Sequence, residues 1–452
     1  MSPATLSRRI AQSAGAFAYE QVPAAVIEKV KIAFIDVLSA AFESLDLPWG
    51  CQATQIAGRS PGGKATVIGA PFRTSASEAA FVNAVLGHGL VREDMHTGSV
   101  SHLGVVIYPT LMALSESRPV NGRDFIVAAA CGYEMGATVG RALMDAEVVR
   151  MYRPTGISGP IGGAAGGAKL LGLSEDAATS AIGLAANITV GLNEWPAAGA
   201  DEMFFQVGYA ARNAVSAVEL AELGAFASET SLDGKAGLFA ALRRADKIAT
   251  VKPFSGDWEI LSVFHKAAPA CNYAQTPCQA ALAVAIQDGF DSRDVEKIHV
   301  KCTAAAVNYP GCNHPGPFAR ILQAKMSIHF CVAATLARRS IEEQNYRLLN
   351  DPEITRLASA TTIDADPQLT ANYPKMQGAE VIVTMRNGET RRHSLCDLIP
   401  ATSEQIRTRF RAAAEKSIGP KATAAIEEQI DSLENQKNVG ATARLLSSNN
   451  QK

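Results

Sequence analysis

A chain of 452 residues with 42 Lys and Arg against 44 Asp and Glu carries a formal charge of −2. That near-neutral balance excludes a global electrostatic footprint for nucleic acid or an anionic membrane, so any anionic ligand must be attracted locally. With 47% apolar residues, a chain of this length can bury a large core and divides by default into two domains.

The N-terminal stretch from Met1 to Phe17 holds Arg8 and Arg9 but no apolar run of signal-peptide length. Every apolar stretch is interrupted well before ~18 residues, so no transmembrane helix is predicted. Ala24 to Glu43 places Val26, Ile27, Val30, Ala33, Phe34, Val37 and Leu38 on one helical face. Ala76 to Leu90 is a second helical run, with Ser77 as its expected cap and Glu78 in its first turn. Asn121 to Leu143 is a third. Small residues dominate from Gly156 to Ala186, and Gly162, Gly163, Gly166 and Gly167 predict close helix packing rather than a dinucleotide loop, because no G-x-G-x-x-G follows a strand.

The texture changes near Asp257. Lys297 to Thr303 and Ala379 to Met385 alternate like strands, and Asn387-Gly388 after the second signals a hairpin. Ala324 to Arg338 between them reads as one helix. Helical texture returns at Ser403 to Ala414 and Ala422 to Leu433, and the polar tail after Asn438 is expected to fray. The fold class predicted is mainly α: a discontinuous all-helical domain, residues 1–262 and 399–452, with a smaller α+β lid domain, 263–398, inserted. Eight cysteines spread from Cys51 to Cys396 form no CxxC pair and lack histidines at zinc spacing. The expectation is reduced thiols in a cytoplasmic protein, with no metal.

Several segments, in order over nearly the whole chain, resemble the MmgE/PrpD family. They are residues 79–102 (AAFVNAVLGHGLVREDMHTGSVSH), 152–173 (YRPTGISGPIGGAAGGAKLLGL), 207–213, 232–239, 266–273 (KAAPACNY) and 324–333 (AKMSIHFCVA). The resemblance implies a homodimer with its active site in the cleft between helical domain and lid. It implies enzymes without a cofactor that act on small carboxylates by moving a proton on a carbon next to a carboxylate. The function expected is a lyase that dehydrates or decarboxylates such a substrate. The alternatives are an epimerase or isomerase of a small dicarboxylate and a non-catalytic ligand-binding homologue.

Candidate site residues follow from the same segments. Glu93, Asp94, His96 and His102 crowd a loop after a helix, where acid/base groups usually sit. His102 is the expected acid/base, steered by Asp94. His96 is a substrate-binding candidate, and Glu93 ranks lower. Tyr152 and Arg153 precede Pro154-Thr155-Gly156. Arg153 stands where the family usually has His; a guanidinium clamps a carboxylate but is a poor base. Lys266 is expected at the junction of the domains, as a catalytic residue beside Tyr152. Met203, Gln206 and Gln275 stand at family lysine and histidine positions and are expected to bind substrate without charge. Val91 replaces a family Asp. His88 and His329, on apolar helical faces, read as core histidines.

Overall fold

The computed structural model describes residues 4–189 and 191–448. Helices dominate, and among the described residues the only sheet of more than two strands has four. Ala24–Glu43 is a helix of 20 residues with 14 of them buried, from Val26 to Phe42, and it lies at the centre of the helical domain. Ala76–His88 packs against it and against Glu202–Glu222 and Gly104–Ser115. The cap of Ala76–His88 is Ser75, whose hydroxyl accepts from the Glu78 amide, rather than Ser77 two residues on. Asn121 caps Gly122–Leu143 by accepting from the Asp124 amide at 2.9 Å.

Gly122–Leu143 packs along Pro154–Leu170. Glycine accounts for how closely they approach. A Cβ on Gly162 would stand 2.6 Å from the Gly132 carbonyl oxygen, and one on Gly166 would stand 2.7 Å from the Ala128 carbonyl oxygen. Both obstacles are backbone and cannot rotate away. Gly162→Ala is therefore expected to destabilise the fold by about 1–3 kcal/mol through overpacking, read as a lower urea midpoint at unchanged m-value.

In the lid the sheet order is Thr361–Ala365, Val295–Cys302, Ala379–Met385, Thr390–Leu395, with the first pair parallel and the others antiparallel. Alternate residues of Ala379–Met385 are buried, and the Gln275–Ala285 helix packs on its inner face. The Asn387-Gly388 hairpin forms as expected, with Gly388 at φ 84°.

Two further expectations are corrected. The helix predicted over Ala324 to Arg338 is two, Ile321–Met326 and Ile328–Arg338. Ser327 adopts ψ 118° between them and caps the second by accepting from the Phe330 amide. The two late helices form as expected within Ser403–Asp431, separated by a kink where the non-helical Gly419 (φ 80°) precedes Pro420. The tail does not fray over 439–445. Val439–Leu445 is a helix capped by Asn438, and Val439, Thr442, Ala443 and Leu446 are buried. The last residues of the tail lie outside the described range.

Ser403–Asp431 returns to pack on Ala24–Glu43, so sequence-distant ends share one helical core. No helix among the described residues is long and apolar enough to cross a membrane.

Candidate active site

Four segments converge where lid meets helical domain. The Ala76–His88 helix ends at His88, and the chain turns through Val91 into the short strand Met95–His96. That strand pairs with Val263–Phe264, which delivers His265 and Lys266 to the same place. The loop then reaches His102 before Gly104–Ser115, and Arg153 leads into Pro154–Leu170.

Glu93 organises the centre. It is fully buried and accepts from two imidazoles, His88 Nδ1 at 2.6 Å and His102 Nδ1 at 3.0 Å. Hydrogen-bond logic fixes both tautomers. His102 Nδ1 also lies 2.8 Å from the Asp94 carbonyl oxygen, which only accepts, so Nδ1 carries the hydrogen. In the neutral ring the lone pair is then on Nε2, which has no protein partner among the described residues. His88 Nδ1 donates to Glu93, and its Nε2 accepts from Arg153 at 2.9 Å. An arginine cannot accept, so His88 is a neutral relay between carboxylate and guanidinium.

Electrostatics separates the proton carriers. Burial, reinforced by Lys266, lowers His102 to about 4 despite Glu93. Burial also lowers Lys266 to about 8, against the opposing pull of Glu93. At neutral pH the imidazole is therefore empty and the ammonium full. An imidazole ready to take a proton and an ammonium ready to give one thus line a single cavity.

That cavity encloses about 340 Å³ and is lined by His102, Arg153, Lys266, Met203 and Cys271, with Trp195 and three tyrosines, Tyr273, Tyr309 and Tyr373, among the walls. The Lys266 ammonium donates to the Val91 carbonyl oxygen at 2.5 Å, leaving two of its three hydrogens for a ligand. Arg153 stacks over Trp195 at 5.1 Å, and its buried Nε has no hydrogen-bond partner.

The other sequence candidates fall outside this lining. The Asp94 carboxylate faces inward, accepting from the Tyr133 hydroxyl at 2.6 Å and the Gly104 amide at 3.3 Å; burial raises its pKa to about 6. It touches His102 through its carbonyl, and the carboxylate that steers His102 is Glu93. His96 is buried between Glu259 (2.9 Å) and Ser99 (2.8 Å), where it fastens the loop. Gln275 spends both ends of its amide on the backbone of Ala268, Ala270 and Cys271, so it braces the turn after Lys266. Gln206 donates to the Leu192 carbonyl, and the half-exposed Tyr152 meets Leu192 through its backbone. His88 and Glu93, ranked low from sequence, are at the centre. The available signal was their spacing: a His ending a helix and an acid five residues later meet across a tight turn.

His88, Glu93 and His102 also present three ligand atoms within 4.8 Å of one another. Arg153 on His88 and the charge of Lys266 oppose a dication there.

Two family models match the chain: the MmgE/PrpD N-terminal domain over residues 8–250 and the MmgE/PrpD C-terminal domain over 268–435. The chain belongs to the MmgE/PrpD family. It is similar to the cis-aconitate decarboxylase-like protein oryM of Aspergillus oryzae, 26% identical across 94% of each chain. It is also similar to the cis-aconitate decarboxylase of Aspergillus terreus, 22% identical across 98% of this chain and 96% of that one. The human cis-aconitate decarboxylase is 24% identical across 93% and 90%. Family membership places this chain among lyase-type enzymes.

Proposed function

We propose that the protein is a lyase that dehydrates or decarboxylates a small carboxylate, with His102 and Lys266 as its catalytic residues. The observation that carries this reading is the pairing, in one cavity, of an unprotonated imidazole with a protonated amine. In a dehydration His102 Nε2 removes the proton from the carbon next to a carboxylate. The electron pair left behind forms the new double bond as the leaving group departs. Lys266 protonates the departing hydroxide, and water leaves. In a decarboxylation no proton is removed first: the bond to CO₂ breaks, and its electron pair takes a proton from Lys266 on the substrate carbon. Lys266 and Arg153 hold the carboxylates and stabilise the negative charge that develops there. Glu93 and His88 are positioning residues: they fix the tautomer of His102 and the fork of Arg153. Asp94, His96, Gln206 and Gln275 hold the loops that bear these groups, while Met203 shapes a wall.

The names of the relatives support a lyase. An epimerase would use the same two proton carriers without a leaving group. Incubation in D₂O with a panel of small di- and tricarboxylates, including cis-aconitate, 2-methylcitrate and iminodisuccinate, separates the two by mass. Product lighter by water or CO₂ is the expected result. Deuterium uptake into an otherwise unchanged skeleton would replace the lyase with an epimerase. The proposal includes a cytoplasmic homodimer, and light scattering on the purified chain tests the assembly.

A further inference from the structure

The cavity walls restrict the substrate further than the reaction does. The only cationic side chains lining it, among the described residues, are Arg153 and Lys266. Glu93, directly behind them, offsets one of these charges: it acts on both groups and pulls Lys266 towards its charged form. Asp145 at the lining is itself paired with Arg244. The site therefore offers a net charge of about one positive, spread over two donors.

Most of the remaining surface is apolar. Met95, Met144, Met203 and Met326 enter it from four different segments, joined by Val149 and Trp195. Methionine is flexible and polarizable, so four of them make a wall that adapts to apolar groups of different shape. Met203 is fully buried on the Glu202–Glu222 helix, with Trp49 and Phe204 stacked beside it at 3.7 Å between ring centroids. That wall is supported from behind by apolar packing and supplies no counter-charge.

From this distribution we propose that the cavity takes a dicarboxylate bearing an apolar substituent, in preference to a tricarboxylate; the inference rests on the carboxylate chemistry proposed above. One carboxylate meets the two unused hydrogens of Lys266, and the other meets the Arg153 guanidinium at the cavity wall. The substituent lies along the methionines. A third carboxylate would leave water for a surface with no cation to meet it, an uncompensated desolvation.

The test measures binding, not turnover. Calorimetry on the full chain uses four saturated acids that have no leaving group: 2-methylsuccinate, 2-butylsuccinate, 2-hexylsuccinate and tricarballylate. Affinity is expected to rise about fourfold per added methylene from methyl to hexyl, with tricarballylate weaker than 2-methylsuccinate. Met203→Lys is expected to reverse that order, and Met203→Leu to keep it. Affinity that is flat or falling along the series, or tightest for tricarballylate, would overturn the inference. If Met203→Lys does not fold, as judged by circular dichroism, the wild-type series alone decides. Because none of these acids reacts, the outcome is separate from that of the D₂O incubation. A lyase that binds tricarballylate most tightly loses this inference and keeps its reaction. A chain that binds none of the four loses this inference, and the D₂O incubation alone decides the reaction.

Discussion

Replacing His102 by glutamine is expected to lower kcat by about 10²-fold or more, the usual contribution of a positioned general base. The substitution is chosen to preserve the site. The glutamine amide can still donate to the Asp94 carbonyl and to Glu93, the two acceptors that now hold Nδ1. It cannot take a proton at any pH used for assay. The pH profile adds a second readout. With His102 at about 4 and Lys266 at about 8, kcat/KM of the wild type rises as pH climbs through about 4, where the imidazole loses its proton. It falls as pH passes about 8, where the ammonium loses its own. His102→Gln removes the acidic limb and leaves the alkaline one. Near-normal turnover, or an unchanged acidic limb, would take the base role from His102.

Glu93→Gln is expected to move the alkaline limb. Glu93 is the negative charge that holds Lys266 towards its charged form against burial. Removing that charge while keeping the shape lowers the Lys266 pKa, so the limb moves to lower pH, by roughly one pH unit or more for a close opposite charge. Activity near pH 8 therefore drops more than activity near pH 6. Glutamine also presents an NH₂ group where both Glu93 oxygens could accept, and two imidazole N–H groups converge on Oε1. One amide orientation satisfies both, so the fold is expected to survive. If the alkaline limb stays in place, Lys266 is not the group that sets it.

Much of the fold is legible from local pattern. The Ala24–Glu43 helix and the Ala379–Met385 strand have the predicted bounds, because apolar spacing inside one segment determines them. Features that depend on distant partners were not legible. Thr361–Ala365 is a strand because Val295–Cys302 lies parallel to it, and nothing in its own five residues announces that. Val439–Leu445 is ordered because the Gly104–Ser115 helix receives it. The break at Ser327 was hidden because neither glycine nor proline stands between Ile321 and Arg338 to announce it.

At the site, sequence brought forward the residues that line the cavity, His102, Arg153, Lys266 and Met203. It ranked Asp94 above Glu93 because both acids occupy the same loop and side-chain direction is not written in spacing. Only the turn through Val91 and the phenol of Tyr133 decide that Asp94 faces inward and Glu93 faces the imidazoles.

The latch at that turn bears on how such a chain can change over generations. Lys266 is held by the carbonyl of Val91, and Lys325 by the carbonyls of Leu90 and Pro269. Every residue type supplies a carbonyl, so mutation at positions 90 and 91 leaves the acceptors in place. Val91 has φ 58°, a conformation that a β-branched residue adopts at a cost and that Asp or Asn tolerates better. Position 91 can thus drift between an acid and a hydrocarbon, trading stability against the polarity of the cavity wall, while the lysine stays anchored. A lineage built this way can try new substrates without first releasing its buried lysine.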